Sequence, residues 1–142
     1  MKYLFILLSF IFIDNGCSNS NINQESLSVE YSALSKGIYK QIKISKKSIS
    51  VTNARGTTPI TQTCSEASWE TIIKAVKPIN VENIPNLKAP TEKRFYDGAA
   101  IAHLTINYDG KSYKTEPFDH GYPPKEIEGL VKEILSISEN IE

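Results

Sequence analysis

The chain has 142 residues, 16 basic and 16 acidic, a formal net charge of zero, and two cysteines. That length supports one domain whose core needs no metal or disulfide. The balanced charge offers no basic excess for nucleic acid and no acidic block for a cationic partner, and no motif implies a cofactor.

The N-terminus has the layout of a bacterial export signal. Lys2 is positive, Tyr3 to Ile13 is almost wholly apolar, and Gly16-Cys17 follows. As a helix the run would reach about 16 Å, too short for a bilayer core of about 30 Å. The pattern divides the chain into a signal peptide over 1–16, a lipidated Cys17 with a flexible Ser/Asn/Gln-rich tether over 17–26, and a single domain over 27–142. In Asp14-Asn15-Gly16-Cys17, Gly16 suits a lipoprotein cleavage box, whereas Asp14 stands where that box has an apolar residue. Lipidation of Cys17 by palmitate-class acyl chains would place the domain in the cell envelope, on the periplasmic side of the outer membrane. Without the lipid, the chain is secreted or keeps an N-terminal anchor. Lipidation also leaves Cys64 alone, either buried or reactive; a Cys17–Cys64 bridge requires that Cys17 carry no lipid.

Three strands come first. Leu27, Val29, Tyr31 and Ala33 alternate with polar residues; Ile38, Ile42 and Ile44 mark a second strand, and Ile49 and Val51 a third. This is an antiparallel meander with one apolar face. Residues 57–63 contain Pro59 and predict a loop or a poor edge strand. Ser65 to Lys77 predicts a helix with Trp69, Ile72, Ile73 and Val76 on one face, Ser65 as N-cap, and Cys64 with Trp69 as a hydrophobic staple. Pro78 ends it.

Residues 79–98 show no period, and a connection of that length is often functional or packed as a structured loop. Ala100 to Tyr108 is the clearest strand. Asp109-Gly110 turns it into a hairpin whose second arm is Lys111 to Phe118. Pro123-Pro124 opens a second helix with Ile127, Leu130, Val131, Ile134 and Leu135 on one stripe. The expected fold is therefore α+β: an antiparallel sheet of about five strands (meander, helix, hairpin, helix) with both helices on one face. Strand order stays open.

Continuing the hairpin register from Tyr108 and Lys111 puts His103 opposite Glu116, Ile101 opposite Phe118, and Ala100 opposite Asp119. Phe95-Tyr96-Asp97 and Asp119-His120-Gly121-Tyr122 then meet at the open end of the hairpin, where Lys93 and Arg94 also arrive. Arg94, Tyr96, Asp97, Asp119, His120 and Tyr122 are the candidate binding residues. An Asp–His pair there could act as a general base. The plainer alternative is structural, with Asp119 accepting local N–H groups and Phe95 and Tyr122 covering the sheet end. His103 facing Glu116 is too few ligands for zinc, so no metal residues are assigned. No nucleophile motif or phosphate-binding glycine loop is present, so no catalytic residues are assigned either.

The stretches Ile84-Pro85-Asn86-Leu87-Lys88-Ala89-Pro90-Thr91, Lys93-Arg94-Phe95-Tyr96-Asp97-Gly98-Ala99-Ala100 and Phe118-Asp119-His120-Gly121-Tyr122-Pro123-Pro124 resemble segments of small uncharacterised lipoproteins of Gram-negative bacteria. The resemblance spans about Val29 to Leu135. It implies an envelope address and one compact domain, and carries no activity with it. The expectation is a membrane-tethered binding module for a protein or small-molecule ligand. The alternatives are a small hydrolase using Asp97, Asp119 and His120, or an inhibitor of an envelope enzyme whose 79–98 loop protrudes.

Overall fold

The period-two alternation of the first half becomes sheet. A computed structural model describes residues 22–141, so the expected signal peptide over 1–16 and Cys17 lie outside the described residues. Strands β1 (Ser28–Leu34), β2 (Tyr39–Ser45) and β3 (Ser48–Thr52) form the antiparallel meander, with Tyr31 opposite Ile42 and Ile42 opposite Val51. β4 (Ile60–Thr63) adds to β3 as an edge strand with all its residues exposed. Pro59 precedes this strand rather than interrupting it, so the ladder loses no donor. Helix α1 (Glu66–Val76) then carries the chain across the sheet, and β5 (Ile101–Tyr108) pairs with β1 on the other side.

The second hairpin arm is not continuous. It forms β6 (Lys111–Lys114) and, after a break, β7 (Phe118–Asp119), both paired with β5. The sheet thus has seven strands rather than about five, in the order β4-β3-β2-β1-β5-β6 with β7 beside β6 on β5. Helix α2 (Glu128–Glu139) follows a short 3-10 turn at Lys125–Ile127 and packs on α1. Both helices cover one face, and their Trp69, Ile72, Val76, Leu130, Val131 and Ile134 join one core with Val29, Tyr31, Ile42, Ile44, Leu104 and Ile106 of the sheet. The fold is α+β.

Local signals explain the helix ends. The Ser65 hydroxyl accepts from the Ser68 backbone N–H at 3.1 Å, satisfying one of the donors a helix start leaves free. Cys64 and Trp69, the staple positions, are both buried.

The break between β6 and β7 corrects the extrapolated register. Ile106 does face Tyr113, but Phe118 faces Ala102 and Asp119 faces Ile101, a slip of one residue. At the slip the Thr115 N–H donates to Leu104 O, while the Thr115 hydroxyl, not its carbonyl, accepts from Leu104 N at 3.1 Å. The freed Thr115 carbonyl accepts from His103 Nδ1 at 3.2 Å, so Glu116 has no place opposite His103. Because side chains alternate faces, one extra residue moves Phe118 from the open face into the core, where it is fully buried.

The segment read as a tether also differs at its end. Residues Gln24–Ser26 form a 3-10 turn fixed to the domain. Gln24 Oε1 accepts from Trp69 Nε1 at 3.1 Å, Glu25 pairs with Lys46, and Ile22 packs on the core. The indole N–H needs a partner once buried, and Gln24 supplies it.

The sheet has two distinct ends. Ile22 to Ser26 join at the end holding Tyr108, Asp109 and the Lys46-Lys47 turn. The other end, about 24 Å along β5, holds the 35–38 turn, residues 93–98 and residues 119–122.

Candidate recognition site

Asp119 organises the far end. It is fully buried at the start of a turn completed by Gly121 at φ 91 and a bridge to Tyr122. Its carboxylate accepts from the backbone N–H of Lys93 at 2.7 Å and of Arg94 at 3.0 Å, from Arg94 Nη1 at 3.1 Å, and from the Thr91 hydroxyl. Burial by itself would raise its pKa. The Thr91, Arg94 and Lys93 donors outweigh that and hold it down at about 2. It therefore stays charged and fully occupied, in keeping with the structural alternative.

The turn held this way carries the exposed groups. Lys93–Tyr96 is a 3-10 turn that ends at Asp97, which sits in the left-handed region at φ 58. Phe95 is 71% exposed and Tyr96 72%. The Arg94 guanidinium, itself nearly buried, bonds Asp119 on one side and lies 4.3 Å from the Phe95 ring centre on the other. Lys93 Nζ lies 3.9 Å from the centre of the Tyr122 ring. Tyr96 covers Gly98 so closely that a Cβ there would come within 2.9 Å of its ring. Two adjacent cations thus set two aromatic rings, and one buried carboxylate fixes the backbone of both cations.

Arg94, Tyr96, Asp97, Asp119 and Tyr122 come together at this end, while His120 turns inward. Its Nδ1 is 2.7 Å from the Tyr31 hydroxyl, and its backbone N–H donates to Ala100 O. Burial, helped by the charge of Lys40, pushes its pKa below the ordinary histidine value. Burial pushes the Tyr31 hydroxyl up, so it remains protonated. Asp119 and His120, although adjacent, make no acid–base pair: every hydrogen bond of the carboxylate goes to the 91–94 segment. Asp97 instead lines a cleft of about 350 Å³ with the 35–38 turn.

Residues 79–98 do not stand away from the sheet as an inhibitor loop would. Val81–Asn86 is a 3-10 helix, Ile84 and Leu87 are buried, and Ile79, Val81 and Ala89 pack on the core. Only the 93–98 end is prominent. Sequence reasoning missed Thr91, whose hydroxyl marks nothing locally, and the role of the Tyr31 hydroxyl, which lies 89 positions from His120.

The outer sheet face is polar throughout its centre. Glu30 pairs with Lys43 at 3.0 Å, and Ser32, Gln41, Thr52, His103 and Thr105 line a hollow of about 350 Å³ under Pro59. Among the described residues there is no group of three or more His, Cys, Asp or Glu side chains placed to hold a metal, and no helix is long and apolar enough to cross a membrane.

At this end the Asp119 carboxylate is fully bonded to the 91–94 segment, while Arg94 Nε is buried without a partner. Comparison of the chain with protein-family models, curated proteins and solved structures finds no match.

Proposed function

We propose that the chain is a lipid-tethered domain of the bacterial cell envelope, facing the periplasm, that works by binding through its 93–98 and 119–122 turns. One observation carries this: Phe95 and Tyr96 are exposed by more than two thirds on a turn whose backbone is fixed by a buried, fully bonded carboxylate. Neither ring joins the hydrophobic core, so core packing does not account for their place. Pre-ordering such rings removes much of the entropy cost of a later contact, and aromatic and Arg side chains dominate binding energies.

The address rests on the export-signal pattern and Cys17, and intact-mass analysis of the mature protein tests it by the mass of the acyl groups. The binding reading is tested with a photo-crosslinking residue placed at Tyr96 or, as a control, at Ser112. Expected is a crosslinked product from intact envelopes at position 96 alone, competed by unlabelled protein but not by the Phe95→Ala/Tyr96→Ala variant. Equal products at both positions would defeat the proposal. Hydrolysis is less well supported, because His120 faces Tyr31 and Asp119 has no free acceptor role.

A further inference from the structure

We infer that the surface this end binds is a negatively charged lipid bilayer, an inference that rests on the reading of the 93–98 and 119–122 turns as the recognition end. Among the described residues, the large hydrophobics most exposed are Ile38, Ile60, Phe95, Tyr96, Ile101 and Tyr122. All but Ile60 lie at this one end. Ile101 is opposite Leu34 and Asp119, Tyr122 is bridged to Asp119, and the Ile38 turn borders the cleft with Asp97.

Phe95, Tyr96, Ile101 and Tyr122 line neither the cleft beside Asp97, which Ile38 borders, nor the hollow under Pro59. The rings of Phe95 and Tyr96 lie outside the neighbouring cleft, which is bordered by Lys36, Ile38, Asp97 and small residues. Phe95 and Tyr96 stand on one turn and Tyr122 on another, an exposed tip of rings at this end. A bilayer interface accepts such a tip without a matching cavity, with aromatic rings at headgroup level.

Charge complements this. Arg55 donates to Ser35 O and lies over Tyr39, Lys40 acts on His120, and Lys93 lies over Tyr122, so all three cations are at this end with Lys36. None of the four is within ion-pair distance of a carboxylate among the described residues. Against them stand Glu92, Asp97 and, on the hairpin arm just before β7, Glu116, since Asp119 is neutralised by Arg94. Lys125 and Glu126, next along toward α2, cancel each other. A chain of zero net charge therefore concentrates positive charge where it exposes its rings, the combination that anionic headgroups attract.

The test uses the chain without residues 1–16 and with Cys17→Ser, since residues 22–141 build the whole described fold. It is sedimented with vesicles of phosphatidylcholine alone, or of equal parts phosphatidylethanolamine and phosphatidylglycerol. Binding is expected only to the second, with each of Lys36→Gln and Arg55→Gln weakening it roughly fivefold. Phe95→Ala/Tyr96→Ala should abolish it, and Lys74→Gln/Lys132→Gln on the helices should leave it unchanged. An unchanged circular dichroism spectrum shows that each variant is folded. Equal loss from the helix variant would overturn the inference by showing that any positive charge serves. No vesicle binding, with a competed protein crosslink at position 96, would overturn it in favour of a protein partner and leave the binding reading standing. Failure of both would remove both.

Discussion

Arg94 and Asp119, 25 positions apart, join through a 3.1 Å ion pair in which the carboxylate is fully buried and the guanidinium nearly so. Removing one partner of such a pair strands the other charge without water. Asp119→Ala should destabilise the domain by about 3–5 kcal/mol in urea melts followed by circular dichroism. Limited proteolysis of the variant should cut first between residues 91 and 98, because Lys93 and Arg94 lose the acceptor of their backbone N–H groups.

The same carboxylate makes stability acid-sensitive. Its folded pKa of about 2 lies below its ordinary value of 3.8, so the unfolded chain takes up the proton first. The stabilisation is complete above the unfolded pKa and is lost as pH falls through the folded one. Melts between roughly pH 5 and pH 2, the window those pKa values set, should show falling stability in the native protein and a shallower fall in Asp119→Ala.

His120 gives a second, separate pH response. Its folded pKa is lowered by burial and then by Lys40, so protonation is disfavoured in the fold. Stability is complete above the unfolded value, near pH 6.5, and declines as pH falls toward the lower folded value. An NMR titration should place the His120 midpoint below the free-histidine value. Lys40→Met should move it upward without restoring it fully, because the larger cause, burial, persists.

The one-residue slip in the hairpin has a measurable cost of removal. Thr115→Val leaves the Leu104 N–H buried without its acceptor and should destabilise by about 1–3 kcal/mol. Deleting Glu116 removes the extra residue, regularises the ladder and still leaves Phe118 opposite Ala102, so it should cost well under the about 3–5 kcal/mol of Phe118→Ala. Urea melts of the three variants check the order.

Cys64 should behave as a packing residue. It is 7% exposed, and burial pushes its thiol pKa up, so little thiolate is present at neutral pH. A thiol reagent should label it slowly in the native protein and quickly in denaturant. Rapid native labelling would contradict this.

Much of the fold was legible because alternation in Val29–Ala33 and Ala102–Ile106, and the helical stripe of Trp69, Ile72 and Val76, are local patterns imposed by burial. The gathering of 94–97 with 119–122 was legible too, since Asp109-Gly110 fixes where the chain reverses. The slip at Thr115 was not. It depends on a hydroxyl replacing a carbonyl in the ladder and on Phe118 finding space under Tyr31, a contact with ring centres 6.3 Å apart between distant strands. β4 was half legible: an exposed edge strand has no apolar face to announce it. The fixing of residues 22–26 was hidden because it rests on the Gln24 side chain meeting Trp69, 45 positions away. The inward turn of His120 escaped for the same reason, as Tyr31 looks like any other core residue of its strand.

The domain is joined to the preceding chain at Ile22, and its prominent rings at Phe95 and Tyr96 stand beyond the opposite termini of the same strands. Tension between those two points would run lengthwise through β1 and β5, whose ladder bonds lie crosswise to that pull. Such bonds must slide and fail together rather than peel one after another. The fold should therefore resist stretching most strongly along that axis.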